Sequence, residues 1–310
     1  MFSLLPPEVA PYMDPSFMSK PGRGERKAQQ VGYLSLAAHR LLLLHAAPPT
    51  ALTILELGSG PGYFAILVLF ASLSQYCPCD LNAILLDRKG VGLATAKERW
   101  DAWCERTHMS ASWASKLGIA EQSASDPLPP FDVALGLHTC GPLSDIIFDA
   151  AARTPSCFAY VVSPCCYGQI VGRASVYAKE QPREAPPNNN VTNNLHPDIV
   201  SHPRSASVRE MCQECGVSWN IGLLGTASEM SVVQSSSKKK GGDDTGGEDA
   251  WAYTHTHPAY VTSKKCMGAI DTDRSLAMAE KGWEVGVDTL VPITCSPKNQ
   301  VLWGRRTIRI

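Results

Sequence analysis

No stretch of this sequence is apolar for long enough to cross a membrane as a helix. The longest run, FAILVLFASL at 64–73, has ten residues, about half of the roughly twenty that a span requires. Neither sign of charge is in excess. With 28 Lys+Arg against 29 Asp+Glu the net charge is −1, which excludes a protein coated with basic surface for nonspecific nucleic-acid binding but leaves room for a local basic groove. The opening MFSLLPPEVAPYMD has no basic start, and prolines stand where a secretory leader needs an apolar helix. The eleven cysteines fall singly or at uneven spacings, without a paired C-x-x-C…C-x-x-C, so neither a disulfide framework nor a metal set is assigned. A reducing compartment is expected, cytoplasmic or nuclear, with the cysteines as thiols. What is present is 310 residues that are 44% hydrophobic, enough to bury one large core with a sizeable insertion.

Along the chain, strands and helices alternate. Residues 1–24 are rich in Pro and Gly and read as an extended segment. The stretch at 24–46 places Val31, Leu34, Leu41 and Leu44 near a 3.6-residue period and predicts a helix ended by Pro48 and Pro49. ALTILEL is a buried strand broken by GSGPG, and YFAILVLFASLSQY a helix. LNAILLD is a second strand and GVGLATAKERWDAWCERT a second helix. A third unit over MSASWASKLGIA reads as strand then helix. FDVALGLH and CFAYVVSP are strands four and five, separated by the helix LSDIIFDAAAR. This alternation predicts a doubly wound, mostly parallel α/β sheet of Rossmann-like type. An irregular insertion spans 170–205, and QSSSKKKGGDDTGGED at 234–249 is low-complexity. The tail regains order, with RSLAMAEKGW helical and EVGVDTLVPI and QVLWGRRTIRI as a closing pair of strands.

The most informative stretch is ILELGSGPG at 54–62. Gly58, Gly60 and Gly62 follow a strand that carries Glu56 near its end, and a helix follows them. Glycines here permit a sharp turn and let a ligand lie against bare backbone beside the N–H groups of a helix start. The dinucleotide fingerprint needs its third glycine at 63, where this chain has Tyr63. The acid followed by G-x-G-x-G looks instead like the first motif of S-adenosylmethionine-dependent methyltransferases, with Glu56, Gly58, Ser59, Gly60, Gly62 and Tyr63 as candidate cofactor residues. Strand two ends at Asp87, twenty-five residues after Gly62, where a carboxylate can accept from both ribose hydroxyls. Asp126 in SASD is a candidate for the adenine side.

Strand four ends in LHTCGPLSD, which puts His138 and Cys140 at the switch-point crevice where open α/β sheets bind ligands. His138 is a candidate general base or pocket-lining residue, the alternative being a backbone-bonded turn histidine. Asp145 either orients that histidine or caps the following helix. Strand five ends in SPCCYG. Its adjacent Cys165 and Cys166 are open to four readings: half of a metal site, a redox pair, a reactive thiol activated by a base, or a pocket wall. Cys165 is the candidate reactive thiol.

LHTCGPLSD followed by SPCCYG resembles a methyltransferase family with an L-H-x-C-G-x-x-[ST]-D element and a later P-C-C-[YH] element. That family includes the methyltransferase domain of the glutathione S-transferase C-terminal domain-containing proteins, the methyltransferase-like twenty-five proteins and the tRNA acceptor-stem 2′-O-methyltransferases. GRGERKAQQ, DTDRSLAMAEKGWEV and CSPKNQVLWG extend the likeness over about residues 20–310, outside the two polar insertions. It implies one methyltransferase domain over 25–310, of class I type, using S-adenosyl-L-methionine, with His138, Cys140, Gly141, Asp145, Pro164, Cys165 and Cys166 in its two pocket elements. The chain lacks a glutathione-transferase-like region and the N-terminal Cys/His zinc elements of the tRNA enzymes, so their substrate does not simply transfer. RNA is the expected partner, with protein and small-molecule acceptors as alternatives. Arg305, Arg306, Arg309, Lys264 and Lys265 are candidates for a basic rim. Two other classes remain at this stage: a nucleotide-dependent oxidoreductase, disfavoured by Tyr63, and a pseudo-enzyme that binds cofactor as an interaction module.

Overall fold

The computed structural model describes residues 23–43, 51–71, 80–106, 115–171, 202–233 and 257–306. Its elements, in chain order, are α1 (Arg23–Leu43), β1 (Ala51–Leu57), α2 (Tyr63–Ala71), β2 (Asp80–Asp87), α3 (Gly90–Arg106), β3 (Leu117–Glu121), β4 (Val133–Thr139), α4 (Leu143–Arg153), β5 (Ala159–Pro164), α5 (Ala206–Glu214), α6 (Ile221–Val233), α7 (Pro258–Ala279), β6 (Trp283–Thr289) and β7 (Gln300–Arg306). Among the described residues no helix is long and apolar enough to cross a membrane.

The seven strands form one sheet in the order β3-β2-β1-β4-β5-β7-β6. The first five are parallel, and β7 runs antiparallel to both β5 and β6. This is the doubly wound sheet with a closing antiparallel pair that the alternation predicts. Because side chains alternate along a strand, neighbours feed opposite faces. Ile54, Leu135 and Val161 join one core with Val31 and Leu34 of α1, Phe64 and Leu67 of α2, and Trp100 of α3. Leu55, Ala134 and Val162 join the other with Ile146, Ile147 and Phe148 of α4 and Met278 of α7. A sheet buried on both faces explains why β1 and β5 read as continuous apolar runs.

The chain reverses its lateral direction between β1 and β4, which are neighbours. The loops after these two strands therefore diverge and leave a crevice at their carboxyl ends, where ligands of such sheets bind. At this edge the register between β4 and β5 shifts between Leu137 and Thr139. The shift falls on His138.

Two sequence expectations need correction. Over its described residues the third unit is a strand without a following helix: LGIAE forms β3, and Gln122 to Asp132 turns, as the three prolines and two aspartates after Ser125 favour, while 109–114 lie outside the described residues. The helix read at RSLAMAEKGW is the end of the longer α7, which stops before Gly282 at φ 83°. Ser205, at the end of the stretch read as irregular, accepts from the Val208 N–H through its side chain and starts α5. Residues 1–22, the prolines at 48 and 49, most of the insertion, the 234–249 tract and Arg309 lie outside the described residues.

Candidate active site

The turn after β1 is built almost entirely from backbone. The N–H groups of Gly58 and Ser59 donate to the Leu86 carbonyl at the end of β2, at 2.8 and 3.2 Å. Asp87 Oδ2 accepts from the Gly60 N–H at 2.8 Å, and Oδ1 from the Lys89 N–H at 2.9 Å. Gly60 and Gly62 both adopt left-handed backbone, φ 51° and 69°, which costs an L-residue roughly 1–2 kcal/mol. At Gly62 a Cβ would also stand 2.4 Å from Leu85 Cδ1. Gly62 is thus required twice over, by torsion and by space, and Gly60 by torsion alone.

Glu56 lies behind this turn. It is fully buried, and its Oε2 accepts from the Ala65 N–H at 2.9 Å, satisfying one of the donors left open in the first turn of α2. It is not among the residues that line the cavity, so it acts as a positioning residue. Burial pushes its carboxyl from 4.5 up to about 7, although the Ala65 N–H and the Lys27 charge favour the ionised form. Between those values the folded protein holds a proton that the unfolded chain has released. The Glu56 contribution to stability is therefore complete below the ordinary glutamate range and is lost as the pH rises through 7. Denaturant unfolding from pH 5 to 8 should show a loss on the order of 3 kcal/mol in the native chain. That slope should be missing in Glu56→Gln; parallel profiles for the two proteins would refute the assignment.

The cavity at the switch point has a volume of about 610 Å³ and is lined by Gly58, Leu86, Asp87, Gln122, His138 and Cys140. Arg88, Lys89, Ala124 and Leu143 complete its wall. Of the sequence candidates, Gly58, Asp87, His138 and Cys140 meet here. Ser59 is buried in the turn. Tyr63 opens α2 with the Arg99 guanidinium 4.2 Å over its ring, and Arg99 also donates to the Pro61 carbonyl at 3.2 Å. Asp126 is exposed and closes a turn by accepting from the Ser123 N–H at 3.2 Å. Gln122 and Ala124 of the same turn line the cavity. Gly92 was not singled out either. A Cβ there would sit 2.8 Å from the Gly60 backbone, so α3 can support the glycine turn only with glycine at that point. The spacing of GVG after Asp87 was the available signal.

His138 is exposed on the bulge at the end of β4 and has φ 59°. Left-handed backbone at a non-glycine residue is strain that the surroundings must hold, and such strain clusters at functional sites. Asp145 does something other than orient it or cap α4. The N-cap of α4 is Pro142, without a side-chain cap. The fully buried Asp145 carboxylate instead accepts from Arg274 Nε and Nη2 at 3.0 and 2.8 Å, and from Arg204 Nη1 at 2.8 Å. Burial alone would raise its pKa, but the two guanidiniums outweigh it and hold the carboxyl well below the usual range.

Arg274 further donates to Asp271 Oδ1 at 3.1 Å, and the Tyr167 hydroxyl donates to Asp271 Oδ2 at 2.6 Å. Arg204 reaches Asp149 at 2.5 Å, and Asp273 accepts from the Arg204 and Ser205 N–H groups. His202 Nδ1 stands 3.2 Å from Asp273. Burial would lower the pKa of His202, but Asp145 and Asp273 raise it overall. This buried network ties α7 to the turns that follow β4 and β5. It gives the DTDR stretch at 271–274 a role that no periodicity reveals: it is the floor beneath the two Cys-bearing loops.

Cys140 and the vicinal pair come together. Cys140 Sγ lies 3.0 Å from Cys165 Sγ and 3.3 Å from Cys166 Sγ, and the two adjacent sulfurs are 3.6 Å apart. The crowding of the three thiols, with burial, raises the Cys165 pKa. A thiol so placed is a poor nucleophile on its own.

Residues 26–173 match a family described as a methyltransferase domain. The match covers just under half of the chain, and over it the chain is similar to a methyltransferase domain. The glycine turn, Asp87, His138 and all three clustered cysteines fall inside it. The glutathione S-transferase C-terminal domain-containing protein of Xenopus laevis is 25% identical over 252 residues, covering 81% of this chain and 30% of that protein. The Drosophila melanogaster homolog is 26% identical over 288 residues, covering 91% of this chain and 37% of that one. The chain therefore spans about a third of the length of these relatives. Among solved structures, the SAH-bound methyltransferase PaMTH1 of Podospora anserina aligns over 98% of this chain and 89% of its own, with 10% identity and a TM-score of 0.42.

The cofactor of such a domain is S-adenosylmethionine, and the residues present fit it. The bare turn at Gly58–Gly62 offers backbone close to the ligand, Asp87 keeps lone pairs on both oxygens for ribose hydroxyls, and the cavity volume suits a nucleoside.

Proposed function

We propose that this chain transfers the methyl group of S-adenosylmethionine to RNA, at a hydroxyl that His138 deprotonates. The observation that carries the reading is the single cavity shared by the cofactor residues Gly58 and Asp87 and by His138 on its strained bulge. When bound, S-adenosylmethionine supplies a methyl already activated by its sulfonium, which leaves alignment, exclusion of water and removal of a proton to the protein. Asp87 and the glycine turn hold the nucleoside. His138, at the mouth and exposed, accepts the proton that an RNA hydroxyl must give up. Arg88 and Lys89 line the same cavity and offer cations to a phosphate backbone.

The likeness of LHTCGPLSD and SPCCYG to the tRNA 2′-O-methyltransferases favours RNA over the other acceptors. Of the arginines considered as a basic rim, Arg305 and Arg306 are engaged within the protein. Arg305 pairs with Glu284 at 2.6 Å, and Arg306 donates to the carbonyls of Ala151, Ala152 and Thr154.

The test is methyl transfer from labelled S-adenosylmethionine into an extract of cells lacking the protein, with the label split by nuclease and by protease. Nuclease-sensitive label is expected. His138→Ala should lower it about a hundredfold or more while cofactor affinity is kept. Protease-sensitive label would overturn the RNA acceptor, and undiminished turnover in His138→Ala would remove His138 as the base.

A further inference from the structure

We propose that Cys140, Cys165 and Cys166 form a three-thiolate site for a thiophilic metal ion, zinc(II), with its fourth position open beside the cavity. The three Sγ atoms lie within 4.8 Å of one another, and each residue is partly exposed. Two strands supply them. Cys140 follows β4, and the pair follows β5 after Pro164. Adjacent residues in a strand point to opposite faces, which is why the vicinal pair by itself looks unfit to share an ion. Here the chain has already left the strand: Gln169 N–H donates to the Cys166 carbonyl at 3.0 Å and Ile170 N–H to the Tyr167 carbonyl at 3.0 Å. This tight turn swings both sulfurs to the same side, against Cys140.

The dimensions suit the ion. With sides of 3.0, 3.3 and 3.6 Å, the sulfur triangle lets an ion sit about 2.3 Å from all three, the usual Zn–S length. Full tetrahedral angles need sulfurs roughly 3.8 Å apart at that bond length, an opening of about 0.2 Å on the longest side and about 0.8 Å on the shortest, which side-chain torsions supply. As neutral thiols the three sulfurs gain only weak S–H···S contacts from converging. As thiolates around a divalent cation they make strong bonds. Binding releases three protons, one from each thiol, and leaves the M(SR)₃ centre with one negative charge. Three protein ligands leave one coordination position for water or an acceptor, and Cys140 lines the cavity. The buried network under the loops holds the site rigid: Arg274 Nη2 stands 3.5 Å from the Gly141 carbonyl, and Tyr167 is anchored to Asp271.

Cobalt(II) is the probe, added to the reduced, chelator-treated full chain and then displaced by zinc(II). One equivalent is expected, with the thiolate-to-cobalt charge-transfer absorption of three sulfurs. Cys140→Ser and Cys166→Ser should each weaken binding at least tenfold, while a double Cys212→Ser/Cys215→Ser control leaves it unchanged. Absence of saturable binding, or binding that survives in both site variants, overturns the proposal. Should the variants fail to fold, alkylation of the native chain decides. Zinc should protect Cys140, Cys165 and Cys166 from iodoacetamide, and equal labelling with and without zinc overturns the site. Both readouts report binding alone, so a failure of methyl transfer does not bear on them.

Discussion

Arg274→Met is expected to cost this fold about 3–5 kcal/mol, the usual penalty for removing one partner of a buried ion pair. Arg274 is 1% exposed and supplies two of the three hydrogen bonds to the fully buried Asp145, together with the bond from the guanidinium to Asp271. Methionine matches most of the volume, so the loss reports charge rather than a cavity. After the change Asp145 keeps Arg204 and the more distant His202 Nε2 at 3.8 Å, and Asp271, whose carboxyl burial already raises to about 6, keeps the Tyr167 hydroxyl. Denaturant unfolding followed by two probes measures the loss. The double variant Arg274→Met/Asp145→Leu should be less destabilised than the sum of its parts, because it removes both charges at once. A loss under about 1 kcal/mol for the single change would mean that the network is solvated like a surface pair.

The second large effect belongs to Asp87. Its carboxylate accepts from Gly60 and Lys89 N–H groups on one side and lines the cavity on the other. Two charge-assisted hydrogen bonds to ribose hydroxyls, each worth about 1.5–3 kcal/mol, place the loss of cofactor affinity in Asp87→Ala at roughly 10²- to 10⁴-fold. Asp87→Asn keeps an acceptor oxygen and should lose less. Calorimetric titration with S-adenosylmethionine separates the three proteins. Equal affinities across them would place the nucleoside elsewhere in the cavity.

The parallel sheet was legible because β1, β2, β4 and β5 are apolar runs separated by clear helical or turn signals, as ALTILEL before GSGPG shows. β3 was less so, since an edge strand with the burial pattern of LGIAE carries neither a continuous apolar run nor a clean alternation. α6 was hidden by its own glycines. Gly225 breaks helix propensity, yet a Cβ there would lie 2.6 Å from the Tyr167 carbonyl, so the residue that obscures the helix is the one that lets it pack on the cysteine turn. Asp145 was misjudged for a related reason. A carboxylate at the start of a helix, just after a histidine, reads as a cap or as that histidine's partner, and its actual partners, Arg204 and Arg274, lie 59 and 129 residues away.

The sequence by itself determined the strand order's raw material, the glycine turn and the carboxylate at the end of the second strand, since these depend on local torsion and on residues a few positions apart. Only the tertiary structure decided what the turn encloses. Bringing the ends of β4 and β5 side by side converts a single thiol and a vicinal pair into one cluster, and seating α7 beneath them converts DTDR into a buried counter-charge. Both follow from contacts between residues far apart in the chain, for which periodicity and spacing carry no signal.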